Sequence, residues 1–538
     1  MSVWVLLGLI GHDPWKPDEA HTFGIMWRAL SQGHWLIPNL AGERFEDLPP
    51  LTYWSAAAFA WLFQSVLPLH DGARLASGAW IGLGFWLVGM TARELYGKGY
   101  GRYAVLTLAG CIGLFERAHQ LLVDNTLFAG LALTLYALTR LQRTQAKSAL
   151  LIALGVAISF FSKGWAGLWL ALTMVVGVWI AMREKQAIYA ARTLFYAAGL
   201  VAVAICAWAF LVERAAPGAL AQWTRSEWAD LFKDRTALEP VQTAGFMFKS
   251  LLWFAFPALP LALWSTRLMQ RGFLGGLSQW KFRVPAFACA GLVIGLLIAG
   301  QPRTVALMPL LIPLALIAVP GLDHLKRGHS GFLDWMGIFF FGALLLLAWV
   351  FWSTLYLGAP RGIFLKLLSN FQPGFIEPIK PIATLCAAAL TILWFAMIRP
   401  ARRTHKRALV NWTAGITSVW GVGMLLFTPY LDYGKSFRIP VAQTLSQLPE
   451  SVRNGQSCLA SAGLGLGQRA MLDYLAKLTT QRVETTKTVQ CDWLLVQANA
   501  DNPSKFVVPL AQFERAGTMM RPGGKEEPWH LYKRIAKL

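Results

Sequence analysis

The sequence predicts an all-α polytopic membrane protein carrying a small α/β domain at its C-terminal end. Three observations carry that prediction. Hydrophobic residues make up 56% of the chain and charged residues only 14%, against roughly 25% charged in soluble domains. Apolar runs of 16 to 25 residues recur along the chain, and a bilayer-spanning helix needs about 20. From Lys435 onward the apolar runs stop and the composition turns to mixed polar sequence.

The runs place spans near 1–11, 74–95, 101–116, 124–141, 148–162, 165–182, 193–213, 246–266, 285–300, 303–320, 332–357, 381–399 and 409–429, about 13 transmembrane helices. The first run lacks the basic start and small-residue cleavage site of a signal peptide. It is also short for a span, so either the first helix is incomplete or the true start lies upstream. A further run, Leu51 to Leu67, begins at Pro49-Pro50 and is read as a juxtamembrane or re-entrant helix. On that reading the basic clusters, such as Arg140/Arg143/Lys147 and Arg402/Arg403/Lys406/Arg407, fall in every second loop and face the cytoplasm. The loops 12–73, 116–123, 163–164, 214–245, 301–302 and 358–380 and the C-terminal region then share the outer side. The domains expected are 1–430 in the membrane and 435–538 outside it. In the latter, "SCLASAGLGLG" and "CDWLLVQ" read as buried strands and "QRAMLDYLAKL" as a helix.

The formal charge of +21 brings nucleic acid to mind. The basic residues instead lie in short clusters between apolar runs, with no DNA- or RNA-binding signature, so no nucleic-acid partner is expected. The surplus is also compatible with anionic lipid substrates. Cys111, Cys206, Cys289 and Cys386 fall in apolar segments, whereas Cys458 and Cys491 could pair if the C-terminal region lies in an oxidising compartment. No CxxC or His/Cys cluster with zinc spacing occurs, so no cofactor is predicted and a divalent metal has no ligand spacing to support it.

Carboxylates are scarce enough in this chain to be informative. In "HDPWKPDEAHTFGIMWRAL" the pair Asp18-Glu19 follows Pro17 and precedes Phe23, Trp27 and Leu30, one face of an amphipathic helix expected to lie in the outer interface. Asp18 is either the N-cap of that helix or a catalytic acid. Asp124, in "ERAHQLLVDNTLF", stands at the start of an apolar helix and has the same two readings. Together on one face, two such acids are what lipid-linked group transfer needs, one as general base and one to orient the acceptor hydroxyl or hold a cation. Glu43, Glu46 and Asp47 in "GERFEDLPPLTYW" read as solvated loop charges. Lys163 in "FFSKGWAGLWL" either snorkels or neutralises a lipid phosphate, and Arg303 stands in a short outer turn suited to a phosphate contact.

The order "PDEA…WRAL…GHWLIPNLAGERFEDLPPLTYW", then "ERAHQLLVDNTLF", then "SKGWAGL" resembles the ArnT-like branch of the protein O-mannosyltransferase superfamily, and weaker similarity continues to "PYLDYGKSFRIPVAQTL". The resemblance implies a GT-C fold and transfer of a sugar from a polyprenyl (undecaprenyl) phosphate donor to a cell-envelope acceptor such as lipid A. It implies direct displacement at the anomeric carbon with inversion. By the same resemblance Asp18, Glu19 and Asp124 are the catalytic acids, and Lys163-Gly164 match a Lys-Gly at a helix break. Lys163 and Arg303 would meet the donor phosphate. The implied partners are the polyprenyl-phosphate sugar, a lipid or glycan acceptor and membrane lipids. The implied setting is a bacterial inner membrane with the active site and C-terminus on the periplasmic side. Two departures stand out: His21-Thr22 where the family has Arg-Tyr, and Leu48 where a lysine precedes the double proline. The competing class is a transporter or lipid flippase, for which ionisable residues near the midplane of several helices and related halves would be expected.

Overall fold

A computed structural model describes residues 2–15, 18–45, 47–141, 143–232, 239–270, 273–300, 303–360, 362, 366, 371–398, 406–497, 510–522 and 528–535. Pro17, Glu46, Arg402 and Arg403, named above, lie outside the described residues. Among the described residues, eight helices are long and apolar enough to cross a membrane, or nine if one bent pair counts as a single span.

The chain opens with α1 (Ser2–Leu6), a single short turn region, and α2 (Asp18–Gln32). A two-stranded hairpin follows, β1 (Asn39–Leu40) with β2 (Glu43–Arg44). Pro50 then stands at the start of α3 (Leu51–Phe63). Its 13 residues extend about 20 Å at 1.5 Å each, short of the ~30 Å hydrocarbon core, as a helix that does not cross would be. The long α4 (Leu69–Tyr96) comes next. The run 101–116 is divided at Gly110-Cys111 into α5 (Tyr100–Ala109) and α6 (Ile112–Arg117), and α7 (Val123–Thr139) follows.

The element α8 (Gln145–Ile180) contains both runs 148–162 and 165–182. Straight, its 36 residues would reach about 54 Å, far more than a bilayer. It is not straight: Lys163 (φ −140°, ψ 31°) and Gly164 (φ 55°, ψ −139°) leave helical geometry. A methyl group on Gly167 would lie 2.0 Å from the carbonyl oxygen of Ser159, a pair about 12 Å apart along an unbroken helix. The chain turns sharply at the break and its two halves touch beside it.

Next come α9 (Glu184–Ala215), α10 (Ala219–Phe232), α11 (Glu239–Phe254) and α12 (Ala258–Gln270). The run 246–266, expected as one span, is two helices meeting at 101° across a break of a few residues that contains Pro257, which cannot donate a helical hydrogen bond. The remaining membrane helices are α13 (Trp280–Ala299), α14 (Met308–Ala318), α15 (Arg327–Leu357), α16 (Pro381–Ile398) and α17 (Arg407–Lys435). The most deeply buried is α14, all of whose residues are buried; it is the axis of the core formed with α4, α5, α7, α12 and α13.

Beyond α17, α18 (Arg438–Gln447) leads into a five-stranded sheet of order β4-β3-β5-β7-β6. Its strands are β3 (Leu459–Ala462), β4 (Thr480–Arg482), β5 (Trp493–Gln497), β6 (Phe513–Met519) and β7 (Trp529–Arg534). β3 runs parallel to β4 and β5, while β7 is antiparallel to β5 and β6. Helix α19 (Leu466–Ala476) connects β3 to β4. The fully buried run of β3 and the three consecutive buried residues of β5 fit their places as interior strands of the sheet. A disulfide joins Cys458 to Cys491 at the entrances of these two strands, and the other four cysteines are free.

One expectation is corrected here. The apolar face of α2 does not lie against lipid: Phe23 and Trp27 pack on Tyr474 of α19, with ring centroids 4.7 and 5.3 Å apart. Arg28 makes a buried two-armed ion pair with Asp473 at 2.5 and 2.6 Å. A helix face with Phe, Trp and Leu fits either a membrane interface or a protein partner, and the C-terminal domain is the partner that covers it.

Candidate active site

Asp18 and Glu19 occupy the first turn of α2, where the positive end of the helix dipole favours acids. They face different surroundings. Glu19 is almost fully buried and receives Arg74 of α4 at 2.6 Å. It also accepts the backbone N–H groups of Trp15 (3.0 Å) and Leu121 (3.3 Å). Burial alone would raise its proton affinity, but the Arg74 guanidinium, together with His12 and the Trp15 N–H, outweighs that and holds its carboxyl below the usual range. Arg74 in turn binds Asp71 at 2.8 Å and the carbonyls of Leu9 and His12. This knot ties Leu9, His12 and the start of α2 to α4 and to the turn before α7. Asp18 is half-buried, and its side chain makes no hydrogen bond to any described residue.

Asp124 lies in the first turn of α7, directly after the Leu121 turn that Glu19 grips. Its carboxylate receives the Lys163 ammonium at 2.6 Å, the Asp124 side chain buried and that of Lys163 half-buried. The α8 break makes this contact: Gly164 adopts a φ of 55° with ψ of −139°, a combination open essentially to glycine alone. A methyl there would sit 2.6 Å from Oε2 of Glu227 and 2.7 Å from the Trp223 ring. The second half of α8 therefore starts beneath α10, and Glu227 accepts the Ala166 N–H at 3.1 Å.

Lys163 and Glu227 open into a cavity of about 590 Å³. Asp47, Phe45, Arg44 and Glu43 line it from the outer loop, Ala166, Trp223 and Ser226 from the break and α10, and Leu466, Arg469 and Arg482 from the C-terminal domain. Asp47 presents surface to the cavity, which is open on one side, and the rest of its carboxyl is surrounded by protein. This surrounding, only partly offset by Lys163, pushes the Asp47 carboxyl up to about 6. Burial first, and then the neighbouring Asp47, push Glu227 up to about 7, against the backbone N–H of Ala166 and the charge of Lys163. The Glu227 Oε2 atom is buried without a hydrogen-bond partner. The two carboxyls thus titrate near neutrality, the range in which a general base combines availability with basicity. Among the described residues no group of three or more His, Cys, Asp or Glu is arranged to hold a metal ion.

A second, apolar groove of about 200 Å³ adjoins this cavity at the break, lined by Trp165, Leu168, Trp169, Leu172, Trp228, Ile298 and Ala299. Trp165 stacks on Trp223 at 5.9 Å, so one aromatic pair separates the polar cavity from the apolar groove. Behind it, Phe160, Trp208 and Trp223 form a buried cluster that includes Leu48. Leu48 is 1% exposed. A lysine at that position would bury an ammonium among aromatic rings, and in this chain Lys163 is the lysine that lines the cavity.

The five residues singled out in the sequence are therefore distributed. Asp124 and Lys163 meet directly, and Asp18 shares a turn with the Glu19 that grips the loop before Asp124. Glu19 itself is spent on Arg74 and does not line the cavity. Arg303 is exposed where the turn Thr304–Leu307 begins, a turn that packs on α11, and it is not among the residues lining the cavity. The reading passed over Asp47, Glu227 and the two C-terminal arginines as functional groups. Asp47 had one available signal, its position just ahead of a rigid Pro-Pro. The other three come from helix and strand positions far along the chain, with no local mark.

Residues 47–210 match the family described as dolichyl-phosphate-mannose-protein mannosyltransferase. An undecaprenyl phosphate-alpha-4-amino-4-deoxy-L-arabinose arabinosyl transferase of Pseudomonas fluorescens is 26% identical over 432 residues, 74% of this chain and 74% of that protein. The enzyme of the same description from Pseudomonas savastanoi pv. phaseolicola is 26% identical over 62% of each chain. In three dimensions the chain is similar to ArnT from Cupriavidus metallidurans bound to undecaprenyl phosphate. The TM-score is 0.69 at 15% identity, over 99% of this chain and 96% of that one; the apo form gives 0.67. The similarity runs through nearly the whole fold, which is the GT-C fold of these ArnT structures, and in sequence it takes in the Asp47, Asp124 and Lys163 segments.

Proposed function

We propose that the protein is a bacterial inner-membrane glycosyltransferase that moves a sugar from a polyprenyl (undecaprenyl) phosphate to a cell-envelope acceptor such as lipid A, with inversion, on the periplasmic face. The observation that carries this reading is the helix break. On one side of Lys163-Gly164 lies a charged cavity and on the other an apolar, tryptophan-lined groove. A donor with a phosphorylated sugar head and a hydrocarbon tail is the substrate that such a pair of adjoining surfaces suits. The relatives' names, which specify an undecaprenyl-phosphate aminoarabinose, support an amino sugar as the group transferred. The Cys458–Cys491 disulfide supports an oxidising compartment for the C-terminal domain.

The chemistry is a displacement. An acceptor oxygen forms a bond to the anomeric carbon as the bond from that carbon to the phosphate oxygen breaks, and the polyprenyl phosphate leaves with the electron pair. Asp47, held near neutrality, takes the proton from the acceptor hydroxyl. Lys163 meets the charge on the departing phosphate. Asp124 fixes the Lys163 ammonium, Asp18 orients the acceptor or the sugar, and Glu19 holds the Asp124 loop through Leu121. Vesicles containing the purified protein and a labelled undecaprenyl-phosphate aminoarabinose test this. Transfer of label to lipid A, lost in Asp47→Asn and Lys163→Gln proteins that still insert, is the expected result. Undiminished transfer in both variants would remove the assignment.

A further inference from the structure

The cavity is electrically divided, and the division follows the chain's two parts. Its acid end, Asp47 and Glu227 with the Lys163–Asp124 pair, belongs to the membrane part. Its basic end is built largely by the C-terminal domain. Arg469, on α19, is 1% exposed. It is pinned by Glu43 at 3.0 Å and by the Thr480 hydroxyl at 3.2 Å, so the hairpin β1–β2 and the sheet edge β4 form one fixed wall. Arg482, at the end of β4, has its side chain 35% exposed, and its contacts to Glu43 (3.7 Å) and Glu484 (3.8 Å) are long. Glu484 also accepts the Gly463 N–H at 2.6 Å. Arg44, the third guanidinium lining the cavity, is exposed, and none of its atoms pairs with a described residue. Among the described residues Arg469 and Arg482 share Glu43 and Glu484, and Arg44 and Arg482, both with exposed side-chain surface, retain donors for a ligand.

An acceptor hydroxyl must enter the acid end to lose its proton. The remainder of an acceptor that enters the cavity then lies toward Arg44 and Arg482. We propose that the C-terminal domain is the acceptor-recognition wall of the enzyme, with Arg482 and Arg44 binding an oxyanion, phosphate or carboxylate, carried by the acceptor close to the hydroxyl that is glycosylated. This rests on the transferase reading for the role of the ligand, but the binding itself does not depend on turnover. The planar guanidinium forks present paired donors that match such oxyanions in two-point contact, which an ammonium does not reproduce. Glu43, placed between Arg469 and Arg482, would keep the wall near neutral until an anionic group arrives.

The test measures binding of three glycolipid probes, without donor, to the full-length protein in detergent. One probe carries a sugar phosphate, one a uronic acid, and one is the phosphatase-treated neutral form of the first. At least one anionic probe is expected to bind about tenfold or more tightly than the neutral one. Arg482→Ala and Arg44→Ala should abolish that preference, while Arg482→Lys restores it only in part. Both positions are solvent-accessible, so the variants fold, and the buried Arg469 is left intact. Which anionic probe is preferred distinguishes phosphate from carboxylate. Equal binding of all three probes, or wild-type preference in both alanine variants, would overturn the proposal. A protein that binds as expected yet transfers no sugar would instead refute the transferase reading and leave the anion wall standing.

Discussion

At the scale of single residues, the site depends on one glycine and four ionisable side chains. Gly164 is the position where the backbone conformation, the Glu227 carboxylate and the Trp223 ring leave no room for a methyl. Gly164→Ala should therefore cost about 1–3 kcal/mol and lower transfer with it, measurable as a reduced melting temperature in detergent. Asp124→Asn leaves Lys163 without its counter-charge, and transfer should fall about a hundredfold or more while insertion is unchanged; labelled-donor kinetics check this. Glu227 makes a pH prediction with a definite sign. Its folded carboxyl keeps a proton up to about 7, against an ordinary 4.5. Its contribution therefore favours the folded state fully below 4.5 and is lost as pH rises through 7. Glu227→Gln, which keeps the oxygen that accepts the Ala166 N–H, should show a shallower loss of melting temperature between pH 5 and 8 than the wild type; parallel slopes would refute the assignment. Of these residues Asp124 and Lys163 were legible because a charge beside an apolar run stands out. Glu227 was not, since an acid on an amphipathic helix such as α10 is ordinary until the fold sets it against a helix break.

At the scale of elements, apolar length located most of the membrane helices, and the exceptions have identifiable causes. The run 246–266 reads as one span because hydropathy counts Pro257 as a neutral residue, whereas its missing N–H allows a 101° bend. The α8 break was visible as a Lys-Gly within apolar sequence, although only coordinates show its halves in contact at Ser159 and Gly167. The clearest reassignment is α2. Its stripe of Phe23, Trp27 and Leu30 announced a buried face without naming the partner, and the partner is α19. The buried Arg28–Asp473 pair at this joint supplies a prediction. Arg28→Ala, which strands the Asp473 charge, should destabilise the contact by about 3–5 kcal/mol, whereas Arg28→Met with Asp473→Leu should recover much of the loss. Limited proteolysis of the C-terminal domain, followed beside thermal unfolding, reports both.

At the scale of the whole molecule, the C-terminal domain is part of the site. Arg469 holds the β1–β2 hairpin through Glu43. Arg438 holds Asp13 at 2.7 Å on both carboxylate oxygens, and Tyr474 meets His70 of α4 at 3.3 Å. A chain cut after α17 should therefore insert but show little transfer, in the same vesicle assay. A reporter fused after Leu538 should be active only in its periplasmic form; a cytoplasmic signal would reverse the proposed orientation. The sequence by itself determined that this is a many-helix membrane protein with a polar α/β appendage, and which acids and which lysine stand beside apolar runs. Those properties are local, fixed by apolar length, period and the cost of placing charge in lipid. Only the tertiary structure decided which of these charges meet. It joined Asp124 to Lys163, gave Glu19 to Arg74, left Arg303 apart, and brought Asp47, Glu227 and Arg482 to one cavity from three distant segments. Such convergence depends on how helices and sheet pack, and no spacing along the chain encodes it.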